Sequence, residues 1–159
     1  METLLKIIKP YNLFTTLYPG YLFAVFCDET IQSNIINVHE KSVLLGICFC
    51  YFIGSLINRV GSLVIENIMR KIIDFVEYDD YVEASKQDGK IDMLSQTNNT
   101  YRSLSALFLV LTIIKMLPEC IMTVFYNWFD FIVFVIYVMA YGKQTNYVIK
   151  RVNSVLRKR

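Results

Sequence analysis

The stretch Ser42-Val-Leu-Leu-Gly-Ile-Cys-Phe-Cys-Tyr-Phe-Ile-Gly-Ser-Leu-Ile-Asn58 carries no charge and is closed by Arg59. It is close to the ~20 residues a helix needs to cross a bilayer. Similar windows lie at 10–27, 103–118 and 120–142, and the four together hold two charged residues, Lys115 and Asp130. The other 28 charges crowd into the remainder of a 159-residue chain. A soluble domain spreads its charges over every helix, because each amphipathic element has a wet side. The pattern therefore excludes an ordinary soluble globule, and 11 Phe with 11 Tyr exclude a disordered chain. It predicts an all-α membrane protein with four transmembrane helices in one compact unit, without repeats or linkers.

From the second span the pattern runs outward in both directions. Ile57, Val60, Val64, Ile68, Ile72 and Val76 continue the helical spacing, so one long helix is expected to leave the membrane and become amphipathic. The run Glu77-Tyr78-Asp79-Asp80 changes direction, with the Asp side chains suited to capping a short helix at 80–87. Asp88-Gly89-Lys90 reads as a turn, and a new helix enters the third span from about Ile91. Segment 59–102 is thus a helical hairpin extending helices 2 and 3. In the first span Pro19-Gly20 predicts a kink or a break. That span lacks a small-residue cleavage site before Cys27 and is expected to be retained.

Orientation follows from the basic residues beside the spans. Fourteen of the 16 fall in the N-terminal segment, 59–102 and the tail, against Lys41 and Lys115 on the other side. Both termini are expected on the cytoplasmic side of the membrane. Asn98-Asn99-Thr100 then lies on the wrong side for glycosylation. Lys115, near the end of its span, reads as an interfacial anchor whose amine reaches back to the headgroups.

Little in the chain suggests catalysis, and no catalytic residue, cofactor or metal site is expected. The single His39 stands in a short outer loop, away from any Ser or Cys in a span. Cys48 and Cys50 point in different directions on a helix, and Cys27 and Cys120 are placed for a disulfide only in an oxidising compartment. The acidic cluster Asp74, Glu77, Asp79, Asp80 and Glu83 lacks the ligand spacing of a cation loop.

Asp130 is the residue of interest, because a carboxylate halfway along a membrane helix costs about 2.5–3.5 kcal/mol and needs a partner or water. It shares a helix side with Thr123, Asn127, Tyr137 and Tyr141. That stripe is either an interhelical polar clamp or the lining of a pathway, with one Asp per subunit setting ion selectivity. A second stripe, Gly46, Cys50, Gly54 and Asn58, permits close helix packing inside the chain or between subunits. The tail, 143–159, is a basic amphipathic helix with Val148, Ile149, Val152, Val155 and Leu156 on one face. Its basic groups Lys143, Lys150, Arg151, Arg157, Lys158 and Arg159 suit anionic lipid or an anionic ligand, a nucleotide or oligonucleotide.

The layout resembles the small multi-span effectors that bacteria pair with a signal-making enzyme in anti-phage defence. The stretches Arg59-Val-Gly-Ser-Leu-Val-Ile-Glu66 and Asn98-Asn99-Thr-Tyr101-Arg102 look like elements of the membrane effector of Hailong-type systems, over about 42–145. The resemblance implies an oligomeric multi-pass channel in the bacterial inner membrane, held shut by a single-stranded DNA oligomer that a partner nucleotidyltransferase makes. Two functions are thus expected from the chain: a homo-oligomeric channel or membrane-perturbing effector gated from the cytoplasm, with a tetramer the expected assembly, or a non-conducting adaptor. The adaptor would recruit a soluble partner through 59–102 and the tail.

Overall fold

The structure, a computed structural model, describes residues 13–31, 43–116 and 124–157, side chains at 27–31 and 124–127 excepted. Every element is helical, and no strand occurs among the described residues. Helix α1 covers 13–31, opening with a π-helical turn at Leu13–Leu17 before Tyr18–Ile31. Helix α2 is the 28-residue rod Val43–Arg70, with a π-helical stretch at Gly61–Glu66. Helix α3 is Tyr78–Gln87, α4 is Lys90–Lys115 and α5 is Val124–Leu156.

The chain stays helical through Pro19-Gly20, where a kink or break is expected. Pro19 has no N–H to give the carbonyl four residues back, and the widened turn just before it absorbs that defect. Pro19 and Gly20 are buried because α1 and α2 meet there backbone to backbone. A Cβ on Gly20 would overlap the Cys50 carbonyl, and one on Gly54 would overlap that of Thr16. Gly46, Cys50 and Gly54 are all buried. The small-residue stripe is therefore spent on packing inside the chain.

The long second helix exists as expected, but its inward face differs. The buried positions are Ile57, Gly61, Ile65 and Met69, whereas Ile68 and Ile72 are exposed. The π stretch takes more residues per turn, so it rotates the later side chains relative to an ideal helix. The rod also ends at Arg70 and does not run on to Val76. Helix α3 begins at Tyr78 and not at residue 80, with Glu77 at its N-cap making no side-chain cap bond. Asp79 and Asp80 lie inside its first turn, where they complement the helix dipole and do not cap it.

Helix α4 is the centre of the bundle. Ser103, Leu104, Ser105, Ala106, Leu107 and Phe108 are all buried in succession, which requires neighbours on every side. Helices α1, α2 and α5 supply them. Most of the large side chains that remain exposed belong to the surrounding helices, among them Tyr21, Leu44, Phe52, Trp128, Ile132 and Met139, with Ile113 and Met93 exposed on α4 itself. Farther along, over 78–102 and 143–157, the only large apolar or aromatic side chains exposed are Tyr78, Met93 and Tyr147. An apolar belt of this extent marks an interaction surface, not a water-facing one.

By length and composition one described helix, Val43–Arg70, is able to cross a membrane, and Leu13–Phe26 is a shorter apolar helix. The third expected span does not reach that standard, because Arg102 and Lys115 bracket its apolar run. The tail is also not a separate surface helix. Helix α5 runs unbroken for 33 residues from the fourth apolar segment to Leu156. Val152 is fully buried with Ala84 of α3 and Ile91 of α4, and Val148, Val155 and Leu156 pack around them. The tail's apolar face is thus occupied by protein, which periodicity alone does not distinguish from lipid.

Candidate functional site

Helices α4 and α5 lie side by side and carry the charged interior. Lys115 is in the last turn of α4, 6% exposed, and Asp130 is in α5, 0% exposed. The Lys115 Nζ lies 2.5 Å from Asp130 Oδ2. Lys115 is therefore not an interfacial anchor; it is drawn inward by the one carboxylate of the fourth apolar segment. Two charges that each oppose burial offset one another, provided both remain in place. Asp130 thus links α5 to α4 through the Lys115 amine.

A second polar layer joins α2 to α4. Glu66 pairs with Arg102 across the helices and with Arg70 at 2.8 Å along its own. Asn58 Oδ1 accepts from Ser103 Oγ at 2.9 Å and from Arg102 Nη2 at 3.3 Å. Asn58 thus ends the small-residue stripe as a hydrogen-bond acceptor. Sequence reasoning missed the Glu66–Arg102 pair, although both residues end charge-free runs.

Between the layers, roughly 20 Å apart along α4, the interior is mostly apolar, the buried Ser105 and Thr112 hydroxyls donating to the Tyr101 and Phe108 carbonyls of their own helix. Phe108 stacks on Tyr137 with ring centroids 5.7 Å apart and planes 8° from parallel. Leu104, Leu107 and Leu111 fill the space around them. Tyr141 is 1% exposed and joins the same core. Asp130, Tyr137 and Tyr141 therefore face the interior of their own chain. Thr123 lies outside the described residues, as does the side chain of Asn127.

Beyond the second layer, α5 is stitched to α4 and the α3–α4 turn. Gln144 Nε2 donates to the Leu94 carbonyl at 3.1 Å, and Thr145 Oγ1 lies 3.2 Å from Asn98 Oδ1. Arg151 Nε donates to Asp88 Oδ2 at 2.5 Å, and Asp88 Oδ1 accepts the Lys90 amide. Hydrogen bonding to Arg151, then to Lys90, holds the Asp88 carboxyl below the ordinary range. Of the basic groups expected to hold an anionic ligand, Arg151 is thus engaged, while Lys143, Lys150 and Arg157 are exposed. Lys158 and Arg159 lie outside the described residues, as do Cys27's side chain, His39 and Cys120. No three His, Cys, Asp or Glu side chains gather as a metal site among the described residues.

No known protein family, curated protein or solved structure matches this chain.

Proposed function

We propose that the chain is a multi-pass membrane protein with four crossings and both termini in the cytoplasm. In this reading it is the subunit of a homo-oligomeric channel or membrane-perturbing effector gated from the cytoplasm. The observation that carries the reading is the Lys115–Asp130 pair. It buries two charges inside a bundle whose outer surface is apolar, on the two helices that continue into the charged lobe at 78–102 and 143–157. Such a pair is a closed-state lock, since separating its members exposes both charges to whatever lies between subunits. The resemblance adds a role in bacterial anti-phage defence, with a nucleotidyltransferase partner and an oligonucleotide as the cytoplasmic ligand.

Ion flux from liposomes, with and without short single-stranded oligonucleotides, tests the proposal. Flux that the oligonucleotide changes, and that Asp130→Ala or Lys115→Ala uncouples from it, is the expected result. Absence of flux in every state would overturn the channel.

The adaptor reading is favoured by one observation, the inward direction of Asp130, Tyr137 and Tyr141. There the pair serves folding alone, and the lobe recruits a soluble protein to the bilayer. Stoichiometric recovery of a partner, lost when 66–102 is replaced, together with silent liposomes, selects it.

A further inference from the structure

The lobe built from α3, the start of α4 and the end of α5 carries two surfaces of opposite sign. Asp74, Glu77, Asp79 and Asp80 are all exposed around the start of α3. Lys143, Lys150 and Arg157 are exposed along the tail of α5, spaced by two heptads and therefore on one side of the helix. The tail from 143 to 159 contains six basic residues and no acidic one.

The two surfaces stand at one level of the lobe. Val76 and Tyr81, which flank the acidic residues, pack into the cluster that holds Val148, Val155 and Leu156. Yet no ion pair among the described residues joins Asp74, Glu77, Asp79 or Asp80 to Lys143, Lys150 or Arg157. Two opposite charge sets at one height, neither satisfying the other, are complementary between molecules.

We propose that the acidic edge at 74–80 of one copy docks against the Lys143–Lys150–Arg157 stripe of the next. The proposal rests on the homo-oligomeric reading above and names the contact that builds the assembly. A bilayer holds copies in a common plane and orientation, so surfaces at equal height meet. Because the two surfaces differ, the contact is head to tail and repeats around a ring. Lipid headgroups are a poorer occupant. The tail continues the axis of α5, which places Lys150 about 10 Å and Arg157 about 20 Å farther along the helix than Lys143.

The test uses full-length protein, half of it labelled with nitrogen-15, mixed and reconstituted into vesicles of zwitterionic lipid. A carbodiimide, which joins amines to carboxylates only in direct contact, is then applied, and peptides are read by mass spectrometry. Mixed-isotope links between 74–80 and Lys143 or Lys150 are expected. Asp79→Lys with Asp80→Lys is expected to lower the oligomeric fraction several-fold, and adding Lys150→Asp with Arg157→Asp to restore it. An oligomer without mixed links, or one indifferent to the charge reversal, overturns the docking contact and leaves the channel reading standing. A monomer in the vesicle overturns both. Mixed links in vesicles that never conduct support the contact and overturn the channel.

Discussion

Lys115 and Asp130, the only charged residues in the four apolar windows of the sequence, are each other's partner at 2.5 Å. Removing one leaves the other buried and uncompensated, which typically costs about 3–5 kcal/mol. Asp130→Ala and Lys115→Ala should each lower stability in detergent by that order. The double variant Lys115→Met with Asp130→Leu should recover most of it. Denaturation of the parent, Lys115→Met, Asp130→Leu and their combination, taken as a double-mutant cycle, measures the coupling.

The crossing of α1 and α2 depends on two glycines. Gly20→Ala or Gly54→Ala drives a methyl group into a backbone carbonyl, which has no rotamer with which to yield. Loss of about 1–3 kcal/mol is expected, the usual range for an overpacked interior. Gly89→Ala, with open space around it, should fall within about 0.5 kcal/mol of the parent. Thermal unfolding of the three variants distinguishes the positions.

The tail is held by burial of Val152. Val152→Asp places an unpaired carboxylate between Ala84 and Ile91 and should release the last turns of α5. Limited trypsin digestion reports this, because Lys150, Arg151 and Arg157 become accessible while the apolar segments stay intact.

Acid should loosen the same docking. The Asp88 carboxyl is lowered in the docked form, chiefly by Arg151, so the undocked form binds its proton more readily. The contribution is complete at neutral pH and is lost as pH falls through the lowered value. The protection of amides 148–156 against hydrogen exchange, corrected for the intrinsic rate at each pH, should fall across that acidic window. In Asp88→Asn the protection should be lower at neutral pH and flat across the same window.

Much of the helical layout was legible because it depends on local pattern. The charge-free run closed by Arg59 announced the long second helix, and Asp88-Gly89 announced the turn into α4. The small-residue stripe on α2 announced a close crossing, although Pro19-Gly20 looked like a break when it was the other half of that crossing. Local spacing did not show the rotation introduced by the π stretch at 61–66, where Gly61 lies against the Arg102 carbonyl. Nor did it distinguish lipid from Ala84 and Ile91 as cover for Val152. The candidate site was half visible. Asp130 stood out by its position, but its partner was a lysine at the end of another helix, where an outward reach was the reasonable expectation.

The stacked rings of Phe108 and Tyr137 sit part-way along an unbroken α5. From that contact the helix extends about 20 Å toward Val124 and about 28 Å toward Leu156. It is a lever with its fulcrum in the core of the bundle. A tilt of about 5° there would carry the basic tip roughly 2.5 Å one way and the Asp130 arm a smaller distance the other. In the channel reading proposed above, a push on the lobe would be delivered, geared down, to the Lys115–Asp130 pair at the opposite end.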